Sequence, residues 1–176
     1  MRPLDHILTW PKKFKGFMGF ISSFIIWITR KGPSHVRIYI KGLYGDFDFF
    51  EVTYPRARFG YMSEVSPKEY RIEIGRHKYL PFPLPQEIAD IAILEMRKME
   101  GTDYDIEELW EHLLDEGGID EIDNSDPNIW VCSSGGGHIM HWIGYAWHTK
   151  GKVVSLLSPQ DIRKSDEYAK VKKGGE

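Results

Sequence analysis

"SHVRIYIKGLYGDFDFFEVTY", residues 34–54, decides the fold. Its first seven residues alternate: Val36, Ile38 and Ile40 fall on one face, His35, Arg37 and Tyr39 on the other. A period of two marks a strand with one buried face. "KGLYGD" (41–46) has the glycines and aspartate of a turn. "FDFFEVTY" (47–54) is aromatic and β-branched, reads as the returning strand, and is ended by Pro55. A turn centred near Leu43 sets Glu51 opposite His35, at the ~5 Å that separates facing side chains. A slip of one residue turns Glu51 to the other face.

Outward from the hairpin, "RIEIG" (71–75) reads as a third strand. "PLPQEIADIAILEMRKMEG" (83–101) is a helix with Pro85 at its first position and Gly101 as its stop. "IEELWEHLL" (106–114) is a second helix with Asp105 as N-cap, and 115–128 is an acidic loop. Residues 133–148 read as a helix that is apolar nearly all round and therefore buried. "KVVSLL" (152–157) is a strand. "SPQDIRKS" opens a short helix capped by Ser158, with Asp161 three residues on. "RKSDEYAKVKK", Arg56 and Arg58 read as ordinary surface charge, and the tail from about 168 as loose.

The N-terminal run "GFMGFISSFIIWI" (16–28) follows three lysines, which is the outline of a signal peptide. It is short of the ~20 residues that span a bilayer, and no small-residue cleavage pattern follows it. Its aromatic residues recur at helical spacing, so it reads as a buried helix, with peripheral membrane contact as the alternative. A cytoplasmic protein is expected, with secreted or membrane-associated placement left open.

A length of 176 residues fits one domain, 1–176. With 41% hydrophobic and 28% charged residues the chain is no disordered polymer. A net charge of −3 gives no basic field for nucleic acid. One cysteine cannot form an internal disulfide. The order of elements is that of a single α+β domain.

That cysteine, in "NIWVCSSGGGHIMHW" (128–142), stands between an extended "IWV" and the expected buried helix. A helix N-terminus lowers a thiol's pKa and offers free N–H groups to an oxyanion. Cys132 is accordingly a spectator, a metal ligand or a nucleophile. A nucleophile needs a base. His138, His141 and His148 lie on or after the cysteine's own helix and face away from its start. His35 lies on the polar face of a strand, with Glu51 placed to orient it. "HIMH" and Cys132 match no zinc-finger spacing, and "DEIDNSD" (120–126) lacks the glycine and glutamate of an EF-hand. No metal or cofactor is expected.

"GPSHVRIYI", "FFEVTYP", "GTDYDI", "WVCSS" and "LLSPQDIRKS" occur in an order that resembles the circularly permuted NlpC-type papain-like cysteine hydrolases, the permuted papain-like amidases. The resemblance covers residues 3–167. It implies a central antiparallel sheet packed on a buried helix that starts at the cysteine. It implies Cys132 as nucleophile, His35 as general base, Glu51 as the orienting residue and Tyr104 as a residue of the groove. The implied activity is hydrolysis of an amide or peptide bond, as in cell-wall peptides. The related lecithin:retinol acyltransferase branch implies a lipid acyl substrate instead, and an inactive member would be a binding module.

Arg37 replaces the family's glycine, and Ser134 a frequent glutamate. Arg37 shares a face with His35, so it is expected to bind an anionic group of the substrate, or else to pair with an acidic residue of 115–126. Gly135, Gly136 and Gly137 are unusual inside a helix and point to close approach to the sheet or substrate.

Overall fold

The computed structural model describes residues 1–13, 19, 22–23, 26, 32–104, 129–130, 132–147 and 158–171. The chain runs β1 (His6–Pro11), β2 (His35–Tyr39), β3 (Phe49–Glu51), β4 (Arg58–Gly60), a 3₁₀ turn (Met62–Glu64), β5 (Tyr70–His77), α1 (Gln86–Met99), β6 (Asp103–Tyr104), β7 (Ile129–Trp130), α2 (Cys132–Trp142), α3 (Pro159–Lys164) and β8 (Tyr168–Lys170). The fold is α+β. Six strands form one sheet in the order β4-β3-β2-β1-β5-β8, each neighbouring pair antiparallel.

The alternation of 34–40 becomes β2, with Val36, Ile38 and Ile40 buried. The returning strand is shorter than its composition suggests, three residues rather than eight. The register also differs from the expectation. Ile38 pairs with Phe50 and Tyr39 with Phe49, so the hairpin centres on Tyr44, and the ladder continues to Glu51 opposite Arg37 rather than His35. The difference is two residues, so Glu51 keeps its face.

Strand β1 supplies the centre of the sheet between β2 and β5. Its residues are buried on both faces, so it shows no alternation. The two faces carry separate cores. Leu8, Trp10, Val36, Ile38 and Phe50 join Met96, Ile139 and Met140 of the helices in the main core. Ile7, Phe49 and Val65 form a smaller core on the opposite face.

Helix α2 lies against β2 and β3. Two of the three glycines explain its closeness. A Cβ on Gly135 would stand 2.6 Å from Val52 Cγ2, and one on Gly136 3.2 Å from Val36 Cγ1. The helix ends earlier than the apolar pattern suggests, at Trp142 rather than His148. Gly144 takes φ +83°, while Tyr145 N–H donates to the Met140 carbonyl and Gly144 N–H to that of His141. This is the Schellman stop that glycine permits. The helix is not buried all round, because Trp142 is 57% exposed.

Helix α1 starts one residue after Pro85 and ends before Gly101, φ +81°. The cap of α3 forms as expected: Ser158 Oγ accepts from Asp161 N–H, and the Asp161 carboxylate accepts from Ser158 N–H. The stretch expected to be loose from about 168 is strand β8 through Lys170. Buried Glu73 anchors it, accepting from Lys170 Nζ at 2.9 Å, Tyr168 Oη at 3.0 Å and Arg163 Nε at 2.8 Å.

The expected helix 106–114, the acidic segment 115–128 and the strand 152–157 lie outside the described residues. Of 16–28 only Gly19, Ser22, Ser23 and Ile26 lie inside; all four are helical, and Ile26 packs against the main core. Among the described residues no helix is long and apolar enough to cross a membrane.

Candidate functional site

Three element ends meet. His35 is the first residue of β2, Glu51 the last of β3 and Cys132 the first of α2. His35 Nε2 lies 2.8 Å from Glu51 Oε2. The Cys132 thiol is the other neighbour of the imidazole, and the two act on each other by charge and by a side-chain hydrogen bond. The Val36 backbone also bonds the sulfur.

Glu51, 2% exposed, is the charge centre. Arg37 Nε stands 2.7 Å from Oε2, and Arg58 reaches Oε1 with Nε at 3.0 Å and Nη2 at 2.7 Å. Burial alone raises a carboxyl pKa, but the bond and charge of His35, with Arg37 and Arg58, overcome it and hold Glu51 down at about 2. Burial and Arg37 oppose protonation of His35, yet Cys132 and Glu51 raise its pKa above the ordinary value. Burial likewise opposes thiolate formation, and His35, the Val36 backbone and Arg37 outweigh it, so the Cys132 pKa is lowered. The two shifts favour one species, a thiolate beside an imidazolium.

The sheet separates thiol from cleft. A cleft of about 460 Å³ is lined by His35, Arg37, Glu51, Arg58, Tyr70 and Tyr104, among others. Cys132 is 4% exposed and does not line that cleft. It sits in a narrow interstice on the α2 side with Val36, Val52 and Gly136. His35, at the strand's end, touches both sides.

Tyr104 is buried and reaches the cleft wall because β6 pairs in parallel with β7, Tyr104 beside Trp130, and its N–H donates to the Pro55 carbonyl at 2.9 Å. Arg37 pairs with Glu51 and donates from Nη1 to Thr9 Oγ1 at 3.1 Å. Among the described residues its carboxylate partner is thus Glu51 on the neighbouring strand; the alternative partner expected in 115–126 lies outside them. Arg58, read from sequence as surface charge, belongs to the site. It lies on a three-residue strand, too short to show which face it takes.

Among the described residues no group of three or more His, Cys, Asp and Glu side chains is placed to hold a metal ion. His138 Nε2 and Glu95 Oε2 approach to 3.7 Å, but they are only a pair.

No family model matches the chain, and no curated protein matches it. Among solved structures it is similar to the metalloprotein yiiX from Escherichia coli O157:H7, DUF1105, with a TM-score of 0.67 and 14% identity over 98% of this chain and 97% of that one. This likeness shows a shared fold. It also corrects the resemblance read from sequence: the likeness is to a DUF1105 metalloprotein, and nothing supports membership of the NlpC-type papain-like hydrolases. The five motifs behind that reading are short, and strand alternation, turn chemistry and helix capping account for most of their residues.

Proposed function

We propose that this chain is a cysteine hydrolase acting on an amide or peptide bond. The observation that carries the reading is the position of His35 between the Cys132 thiol and the Glu51 carboxylate. The Cys132 thiolate attacks the carbonyl carbon, and the oxyanion is held by N–H groups at the start of α2. His35 passes its proton to the leaving amine as the C–N bond breaks, leaving a thioester on Cys132. Water then adds, His35 takes its proton, and the carboxylic acid leaves with the thiolate restored. Glu51 fixes the ring and stabilises its charged form. Tyr104 and Arg37 line the cleft on the His35 side of the sheet, where they would hold parts of the substrate away from the bond that reacts. The same steps serve a lipid acyl ester, with an alcohol as leaving group.

The low exposure of Cys132 favours a second reading, a module that binds through the cleft without chemistry. One experiment separates the readings. Incubate the protein with a peptide p-nitroanilide and an acyl p-nitrophenyl ester, then measure intact mass. The hydrolase reading expects an acyl adduct on Cys132 that is absent in Cys132→Ser. Absence of any adduct and of turnover from both substrates favours the binding module.

A further inference from the structure

One hydrogen bond and one ion pair meet on a single carboxylate oxygen at the heart of the site, Arg37 Nε approaching it without the geometry of a hydrogen bond. His35 Nε2 and Arg37 Nε lie 2.8 and 2.7 Å from the same atom, Glu51 Oε2. The other oxygen is taken by Arg58. Arg37 is a fixture rather than a mobile surface charge. It is 11% exposed, its Nη1 is tied to Thr9 Oγ1, and its guanidinium lies 5.4 Å from the Phe49 ring centroid. Two cationic nitrogens on one oxygen stand within the ~4–6 Å over which a like charge alters protonation.

We infer that Arg37 is a positioning residue: by placing its charge against the Glu51 oxygen that holds His35, it sets the pH range over which Cys132 is a thiolate. This rests on the hydrolase reading and names the regulation of that site. The sign follows from charge. Arg37 repels the imidazolium and spends part of the Glu51 charge that would otherwise stabilise it. It attracts the thiolate directly, a direction the lowered Cys132 pKa shares. Without Arg37 both ionisations of the pair move to higher pH. Among the described residues, the other ionisable groups lining the cleft at His35 are Glu51 on β3, Arg58 on β4, Glu64 of the 3₁₀ turn, Tyr70 on β5 and Tyr104 on β6. Arg58 is tied to both Glu51 and Glu64, so among the strand cations it is Arg37 that adds charge at the oxygen holding His35.

The test needs no substrate. Alkylate the full chain with iodoacetamide across pH and follow Cys132 by mass spectrometry. In Arg37→Gln both steps of the profile move up by about one pH unit, so the rate on the acid limb falls about tenfold. Arg37→Lys, which keeps the charge, stays near wild type. An Arg37→Gln profile that overlays wild type, or an Arg37→Lys profile displaced as far as that of Arg37→Gln, overturns the inference. If neither variant folds by circular dichroism, Thr9→Val releases the Nη1 anchor instead; the acid limb falls about threefold, and an unmoved profile overturns the inference. A wild-type profile of an ordinary thiol sinks the hydrolase reading itself, which is a distinguishable result.

Discussion

His35 Nε2 stands 2.8 Å from Glu51 Oε2 although the two residues are not cross-strand neighbours. The ladder puts Glu51 opposite Arg37 and leaves His35 on the diagonal. A glutamate side chain is long enough for that reach, so one carboxylate serves two residues of the same strand face.

The carboxylate is the first test. Its pKa falls from 4.5 to about 2 on folding. A depressed carboxyl contributes stability that is fully present above the unfolded value and is lost as pH falls through the folded one. The window is therefore from about pH 4.5 down to about pH 2. The shift is worth about 3 kcal/mol, so Glu51→Gln lowers the Tm at pH 7 by on the order of 10 °C. Thermal melts of wild type and Glu51→Gln converge as pH drops through the window. A constant difference down to pH 2 contradicts the charge argument.

The base is tested at the sulfur. His35 lowers the Cys132 pKa by charge and by hydrogen bonding, against the effect of burial. His35→Ala removes both and leaves burial opposed only by the Val36 backbone and Arg37, so the thiol titrates higher than in wild type, toward the free-cysteine value of about 8.5. At pH 6 the iodoacetamide rate falls at least about tenfold. Equal rates in the two proteins would show that the imidazole does not govern the thiol.

Glu73 tests the sheet toward its other edge, on β5, away from the chemistry. Burial raises its pKa, but bonds from Arg163, Lys170 and Tyr168 together hold it at about 2. These bonds fasten α3 and β8 to β5. Glu73→Gln weakens charge-assisted bonds and costs about 2 kcal/mol. Hydrogen exchange at Tyr168–Lys170 accelerates, while Cys132 alkylation keeps its pH profile. A changed profile would mean that the two networks are coupled.

What was legible in the sequence follows physical pattern. The hairpin shows itself because β2 has one buried face, and α1 and α3 because Gly101 and the Ser158–Asp161 pair mark their ends. Central β1 is hidden because "HILTWP" is buried on both faces and has no alternation to detect. Edge strands β4 and β8 have three residues each, too few for any period. Face survives an even register error, so a turn centred near Leu43 rather than Tyr44 still sets Glu51 on the face of His35. The role of Arg58 had no local signal, since it depends on β4 docking beside β3.

The glycines of α2 link packing to the site. A Cβ at Gly135 meets Val52 Cγ2 at 2.6 Å and Met99 Cε at 3.0 Å. Met99 can bend aside, but Val52 is β-branched, stiff at χ1 and buried. At Gly136 the nearest atom is Val36 Cγ1 at 3.2 Å, a clash that a few tenths of an ångström relieve. Alanine gains about 1 kcal/mol over glycine in a helix, and overpacking costs about 1–3 kcal/mol. Gly135→Ala is therefore net destabilised by up to about 2 kcal/mol, and Gly136→Ala stays within about 0.5 kcal/mol of wild type. The clash at Gly135 lifts α2 off β3, and Cys132 heads that helix. So Gly135→Ala also loosens the contact between the thiol and His35, and its alkylation profile shifts toward that of an ordinary cysteine. Melting temperature and alkylation are measured on both variants. If Gly136→Ala is the more damaged of the two, α2 does not approach the sheet through Gly135 as described.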